Sequence, residues 1–245
     1  MNDLLKLILH KKIINFLIMI RSLLFDKDYV KSYAQNSEDL ILKSFFYNLS
    51  CGFYVDVGAH HPKRFSNTYL FYKKGWSGIN IDAKPGSMRI FNKLRPRDTN
   101  IEAGISDTKG KLCYYMFNEP AFNGFSKMLS NKVIKDERFF IESTTDIPMV
   151  TLEEVLDQNV GNNQQIDFLS IDVEGLDFKV LKSNNFLKYQ PTVICIEIQS
   201  LSVEEILSDE ISIFLKKFDY SICAKVFNSV FFIKKDFYNS LIKIV

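Results

Sequence analysis

The segment Phe53–Gly58 (FYVDVG) is a short, mostly apolar run that closes on a carboxylate and a glycine. Such a run predicts a buried strand followed by a tight turn. Gly78–Asp82 (GINID) repeats the pattern, and residues from about Asn67 to Lys74 between the two have helical character. Strand, helix and strand in this order predict a parallel α/β sheet.

The same alternation continues toward the C-terminus. A capping box at Thr151 predicts the start of a short helix, and Ser37 is the expected N-cap of a helix that ends near Asn48. The other predicted helices cover 87–94, 175–181 and 203–216, and the other strands cover 100–103, 111–117, 166–172 and 192–197. The apolar runs 220–226 and 230–233 predict a hairpin. We therefore expect a doubly wound, seven-stranded mixed sheet with a C-terminal antiparallel hairpin.

Composition narrows the class of protein. The chain has 245 residues, and its 31 Lys and Arg against 29 Asp and Glu leave a net charge of +2. This length fits one large domain, and so small a charge gives no reason to expect a nucleic-acid partner. The four cysteines form no C-x-x-C pair and predict reduced core residues in a cytosolic protein: Cys51, Cys113, Cys195 and Cys223.

The N-terminal segment, residues 4–25, is rich in Leu and Ile but is interrupted by His10, Lys11, Lys12 and Arg21. It is too short and too charged to predict a membrane span, and no small-residue cleavage site supports a signal peptide. Two interpretations stay open: a helix packed on the domain, and a basic amphipathic helix on the inner membrane surface. We divide the chain into this helix (1–30) and one domain (31–245), with a substrate-facing insertion at about 118–148, and expect a cytoplasmic protein with peripheral membrane contact at most.

Acidic residues lie at or near the ends of four predicted strands: Asp56, Asp82, Asp172 and Glu197. Ligands of open parallel sheets bind at the carboxyl ends of the strands. Asp82 occupies the position from which a carboxylate accepts hydrogen bonds from ribose hydroxyls, and Asp56 could meet an ammonium group directly or through water. The alternative for each is an acid that caps a neighbouring turn.

The glycine pattern discriminates between cofactors. Gly58 is followed by Ala59, His60, His61 and Pro62, without a G-x-G-x-x-G motif. A dinucleotide would lack its pyrophosphate cradle, whereas a nucleoside cofactor without bridging phosphates fits.

Three residues at or near the strand ends are candidates for a general base that removes a proton from a bound substrate: Asp172, Glu174 and His61. Helix capping is the alternative for the two acids. Adjacent histidines in extended chain point apart, so His60 and His61 do not predict a metal site, and only Asp172 and Glu197 could join them. We expect no metal.

At these residues the sequence resembles the FkbM family of methyltransferases. The matching segments are 54–62 (YVDVGAHHP), 65–68 (FSNT), 75–78 (GWSG), 81–86 (IDAKPG), 95–98 (RPRD), 151–152 (TL), 167–175 (DFLSIDVEG) and 191–197 (PTVICIE). Gln35 with Glu38-Asp39 also matches a subset of the family, as a lid over the cofactor. The family commonly has Glu where this chain has Asp82.

The resemblance implies a class I methyltransferase fold, S-adenosylmethionine as the methyl donor, and O-methylation of a hydroxyl on a sugar or another natural product. The residues expected to bind the cofactor are Asp56, Gly58, Ala59, His60, Asn67, Asp82, Ala83, Ser106 and Asp172. We expect a glycan acceptor from the biosynthesis of a bacterial surface polysaccharide. The alternatives are a nucleotide-dependent sugar oxidoreductase and a cofactor-binding partner protein that has lost catalysis.

Overall fold

A computed structural model of the protein describes residues 3–24, 30–199 and 202–242, and the chain divides into two units, 1–32 and 33–245. In the first unit, helix α1 spans Asp3–Leu24. None of the helices in the described residues combines the length and hydropathy needed to cross a bilayer. The second unit, here called the α/β unit, carries every other element.

The elements of the α/β unit alternate along the chain as the sequence predicts. They are α2 (Glu38–Phe45), β1 (Phe53–Val57), α3 (Tyr69–Lys73), β2 (Ser77–Asp82), α4 (Met88–Leu94), β3 (Thr99–Glu102), β4 (Gly104–Ile105), β5 (Gly110–Phe117), α5 (Lys127–Val133), β6 (Ile141–Val150), α6 (Leu152–Asn159), β7 (Phe168–Ile171), α7 (Asp177–Lys182), β8 (Val193–Glu197), α8 (Val203–Ser208), α9 (Glu210–Lys216), β9 (Tyr220–Val226), β10 (Ser229–Lys234) and α10 (Lys235–Ile242).

The main sheet has seven strands in the order β3-β2-β1-β7-β8-β10-β9. The first five are parallel, and β10 runs antiparallel to β8 and β9. The predicted seven-stranded mixed sheet with its C-terminal hairpin is therefore confirmed. Strand order reverses between β1 and β7, which is where an open parallel sheet leaves a crevice for ligands.

Both faces of the central strands are covered, which explains why they are nearly continuous apolar runs in the sequence. Val55 and Ile79 belong to the apolar cluster on one face, and Tyr54 and Phe168 belong to the cluster on the other. All four are fully buried. Burial on both faces holds the carboxyl ends of these strands in a fixed register.

The insertion is more regular than the sequence predicts. β6 begins within it, pairs along its length with β5, and joins β4 in a second, three-stranded sheet. The sequence of β6 (IESTTDIPMV) does not predict a strand along its whole length, because only its C-terminal part is apolar and buried. α5 and a 3₁₀ helix at Pro120–Phe122 also lie in the insertion.

Three smaller predictions need correction. Ser37 precedes α2, but its φ is 68° and its side chain makes no capping bond, so it does not act as the expected cap. The predicted helix over 203–216 is two helices, because the side chain of Asp209 caps α9. Cys51 is exposed and is not a core residue, whereas Cys195 is buried. The capping box at Thr151 is present as predicted.

Candidate active site

A cavity of about 330 Å³ opens at the carboxyl ends of β1, β2, β7 and β8. Its volume falls in the range of pockets that hold small molecules and cofactors. The described residues that line it are Gln35, Asn36, Glu38, Val57, Gly58, His60, Phe65, Asn67, Ile81, Asp82, Ala83, Lys84, Ala103, Ile105, Tyr114, Pro120, Ala121, Asn123, Gly124, Phe125, Asp172, Val173, Glu174, Glu197, Phe227, Asn228 and Ser229.

The register of the sheet sets the order of residues along the cavity floor. Val57 pairs with Ile81 on one side and Ile171 on the other, and Ile171 pairs with Ile196. The residues that follow these four therefore form a row in the order Asp82, Gly58, Asp172 and Glu197. Three of the four predicted strand-end acids meet here, as parallel pairing requires.

Gly58 is needed at the centre of this row. Its φ is 85°, and a Cβ atom there would lie 1.7 Å from the backbone oxygen of Asp172. The sequence assigns this glycine to the cofactor site, and it lines the cavity; the structure adds a second reason for a glycine here, because the lack of a Cβ allows the ends of β1 and β7 to pack against each other. Any larger residue would push these two strand ends apart.

Asp82 is 8% exposed and occupies one end of the cavity. One carboxylate oxygen accepts a hydrogen bond from the backbone N–H of His60 and the other accepts one from Lys84, both at 2.8 Å. A carboxylate has about four lone-pair sites, so it can still accept bonds from a ligand. Ala83, Ala103 and Ile105 line the same end with small or apolar surface; we call this the nucleoside end.

The loop after β1 separates the predicted histidines. His60 lines the cavity with a φ of 52°, and its ring stacks on Phe65 at a centroid distance of 6.2 Å. His61 is outside the lining, where its Nδ1 accepts the backbone N–H groups of Lys63 and Arg64 at 3.0 and 2.9 Å. Its placement therefore gives no support to the predicted role as a base.

Asp56 is not among the lining residues. Because side chains alternate across a strand, it points into the domain beside Tyr54 rather than over the strand end. It accepts a hydrogen bond from Thr68 at 2.8 Å, and burial raises its pKa to about 6 despite the nearby positive charge of Arg95. The predicted direct contact between Asp56 and the cofactor has no support from this position.

The family segment 95–98 forms the centre of the same buried network. Arg95 and Asp98 make an ion pair at 2.7 Å with both side chains fully buried. The Arg95 guanidinium also bonds to Tyr54 and Thr68, and Asp98 accepts from Asn80. A charge buried this completely requires such partners, so these residues hold the strand ends rather than reach a ligand.

The remaining predicted residues have mixed positions. Asn67 lines the cavity and donates to Ser170 on β7 at 3.0 Å. Ala83 lines it as well. Ala59 is buried in a small cluster with Met88 and Phe91, and Ser106 is fully buried where β4 meets β6, so neither is part of the lining.

Carboxylates concentrate at the opposite end of the cavity, here called the carboxylate end, where Asp172, Glu174 and Glu197 all line the wall. Asp172 is open to the cavity yet surrounded by protein on its other sides, and this enclosure together with the charges of Glu197, Asp177 and Glu174 raises its pKa well above the ordinary value. Burial, Glu197 and Asp177 raise the pKa of Glu174 to about 8. Both pKa values are raised by burial and by neighbouring negative charges, so a proton or a cationic ligand is favoured here.

Asp172, Asp177 and Glu197 each offer a carboxylate oxygen within 4.8 Å of the others. Two of the three already have partners. Asp177 accepts from the backbone N–H groups of Val173 and Gly175, and Glu197 accepts from Asn228. Asp177 therefore caps the turn that presents Asp172 and Glu174 to the cavity.

Three segments that the sequence does not place together complete the carboxylate end: residues 35–38, 120–125 and 227–229. Glu38 is 3% exposed, and its carboxylate accepts from Asn36 at 2.8 Å and from Ser229 at 3.1 Å. In the insertion, Gly124 packs so closely on Glu174 that a Cβ would approach it to 3.0 Å. The family resemblance of Gln35 and Glu38 was the one available signal for this wall.

The strand order with its antiparallel C-terminal hairpin is that of the class I methyltransferase fold, and the cavity lies at its switch point. Residues 56–222, more than half of the chain, match the methyltransferase FkbM domain. The protein belongs to this family and is a methyltransferase.

A solved structure with a similar arrangement is the precorrin-6Y C5,15-methyltransferase from Geobacter metallireducens GS-15, at 13% sequence identity and a TM-score of 0.42, with 85% of this chain and 93% of that chain covered. No curated protein sequence shows significant similarity to the chain.

Proposed function

We propose that the protein transfers a methyl group from S-adenosylmethionine to a sugar hydroxyl during the assembly of a surface glycan. The observation that carries this proposal is a single cavity with two chemically different ends. Asp82 stands among small and apolar side chains at one end, and Asp172 and Glu174 stand among polar side chains at the other. A methyltransferase needs such a division, because donor and acceptor must meet in line at the transferred carbon.

The nucleoside end fits the proposed donor. Asp82 can accept hydrogen bonds from ribose hydroxyls, and Ala103 and Ile105 offer apolar contact to a purine. When bound, S-adenosylmethionine supplies an electrophilic methyl group on a sulfonium. A cation at this position would lower the raised pKa values of Asp172 and Glu174, and their ionised forms would stabilise its positive charge.

The carboxylate end fits a hydroxyl-rich acceptor. Gln35, Asn36, Asn123 and Asn228 line it with amide groups that can both donate and accept hydrogen bonds. Phe227, 70% exposed at the tip of the hairpin, offers an apolar face of the size of a sugar ring. A polar pocket with one exposed ring at its rim suits a pyranose unit.

Glu174 is the proposed general base. It lines the cavity beside the insertion, and a pKa of about 8 lies close to the pH at which a base transfers protons best. Asp172, flanked by three other carboxylates, would position the hydroxyl by accepting a hydrogen bond from it. Asp177 holds the turn between them through its two backbone bonds.

The first test is calorimetric titration of the purified protein with S-adenosylhomocysteine, and with NAD and NADP in parallel. We expect binding of S-adenosylhomocysteine alone, followed by methyl transfer to a member of a panel of glycan acceptors carrying free hydroxyls. Binding of a dinucleotide would contradict the proposal. Donor binding with transfer to a non-carbohydrate hydroxyl would keep the reaction and exclude the sugar.

A further inference from the structure

The helix α1 has an unusual distribution of apolar residues. Its 22 residues make it about 33 Å long. Within it, Ile13–Ile20 is apolar except for Asn15, and eight consecutive residues at 100° steps cover every face of a helix. Six side chains of this block are 43 to 60% exposed: Ile13, Ile14, Phe16, Leu17, Ile18 and Met19.

Positive charges flank the apolar block on both sides. Lys11 and Lys12 precede it and Arg21 follows it, and Lys6 lies one and a half turns before Lys11. Asp3 is the one acidic residue within the bounds of α1. The helix thus combines exposed apolar surface with an excess of three positive charges.

We propose that α1 binds to the surface of a membrane that contains anionic phospholipids. The apolar block is about 12 Å long, much shorter than the hydrocarbon core of about 30 Å, so the helix lies in the interface rather than across it. Lysine and arginine side chains can extend from a helix at this depth to the headgroups, where anionic lipids attract them.

Charge also argues against the other obvious occupant, a second copy of the same helix. Two α1 helices would bring together eight basic residues with only two acidic ones. Anionic headgroups supply the missing negative charge, and acyl chains cover the apolar side chains that face the bilayer. This proposal does not depend on the transferase reaction, because it concerns the first unit alone.

The test is flotation of the full-length protein with vesicles of 30% phosphatidylglycerol and 70% phosphatidylcholine, compared with vesicles of phosphatidylcholine alone. We expect flotation with the anionic vesicles, and a partition coefficient about 30-fold lower for the double variant Lys11→Gln/Lys12→Gln, because each basic residue near the surface contributes about a fivefold factor. Lys216→Gln/Lys217→Gln removes two consecutive, exposed lysines at the C-terminal end of α9 and should leave the partition coefficient unchanged. Phe16→Asp should abolish flotation.

Far-UV circular dichroism and the melting temperature establish that each variant is folded. Absence of flotation, or equal flotation with neutral vesicles, would overturn the proposal. A stable dimer would also overturn the proposal if light scattering detects it, Phe16→Asp dissociates it, and it does not float with the vesicles. Failure of S-adenosylhomocysteine binding in the same preparations would instead count against the proposed donor.

Discussion

The two ends of the cavity hold carboxylates in opposite surroundings. At the nucleoside end, burial raises the pKa of Asp82, and the backbone N–H groups that its two oxygens accept oppose that rise. At the carboxylate end, Asp172 and Glu174 have other carboxylates as neighbours, and their pKa values rise accordingly. Two environments that separate the properties of chemically similar groups are a common way to divide binding from proton transfer.

The two ends of the cavity also differ in which parts of the sequence contribute their residues. The nucleoside end comes largely from β1, β2 and the loops that follow them. The carboxylate end needs the segments 35–38, 120–125 and 227–229, which are far apart in sequence. The following substitutions test whether binding and catalysis divide along the same line.

The largest effect is expected where the two ends meet. Gly58→Ala should lower the free energy of unfolding by at least about 3 kcal/mol, because the new Cβ would overlap the Asp172 backbone. Gly75→Ala is the matched control: its φ is 98°, but no atom lies within 4 Å of the added Cβ, so it should cost only about 1 kcal/mol. Urea unfolding measures both, and equal losses would show that backbone strain rather than the clash is decisive.

The next substitution, Glu174→Gln, tests whether catalysis depends on the carboxylate end and cofactor binding does not. We expect kcat to fall by about 10² to 10⁴, the usual contribution of a general base, while the Kd for S-adenosylhomocysteine changes less than about threefold. The assay uses the acceptor found in the glycan panel, and Glu142→Gln, an exposed acid on β6, is the control. If Asp172→Asn abolished turnover and Glu174→Gln did not, the base would be Asp172.

Asp82→Ala should act in the opposite sense. It should weaken S-adenosylhomocysteine binding by about 1.5 to 3 kcal/mol, the usual value for hydrogen bonds to a charged group. Asp82→Asn keeps an oxygen for one backbone N–H and should lose less. Calorimetry gives both affinities, and unchanged binding in the alanine variant would remove Asp82 from the donor site.

The smallest effect concerns pH. The pKa of Glu174 is raised to about 8 in the folded protein, above the ordinary value near 4.3 expected on unfolding. Its contribution to stability is therefore fully present below about pH 4 and is lost as pH rises to about 8. Glu174→Gln should therefore melt above the unmodified protein at pH 8.5, by about 2 to 4 °C for each kcal/mol of the penalty that solvent does not screen, and the difference should shrink steadily as the pH is lowered to about 4. A constant difference would mean that Glu174 does not titrate in this range.

Much of the nucleoside end could be predicted from the sequence. Short apolar runs identify β1 and β2, and parallel pairing brings their ends together. Asp82 must then lie at the carboxyl edge of the sheet, beside the end of β1. Asp172 and Glu197 reach the same edge for the same reason. These predictions use local patterns and one rule of sheet geometry, so they needed no knowledge of distant contacts.

The carboxylate end could not be predicted in this way. The polar N-terminal part of β6 carries no strand signal until β5 pairs with it, and the bond between Glu38 and Ser229 joins residues without any shared motif. Asp56 shows the opposite kind of error, because the sequence assigns it to the site and the structure places it outside the cavity lining. It stands near a strand end in sequence, but alternation of side chains points it toward Thr68 and away from the cavity.

The contact between Glu38 and Ser229 spans 191 positions of the chain. Because a ribosome makes proteins from the N-terminus, segment 35–38 is among the earliest parts of the α/β unit to appear and the turn at 227–229 is among the last. Strands β1 and β2 can pair during synthesis, but this wall of the carboxylate end has to wait for the final hairpin. The strands of the nucleoside end can therefore pair before this wall of the carboxylate end can form.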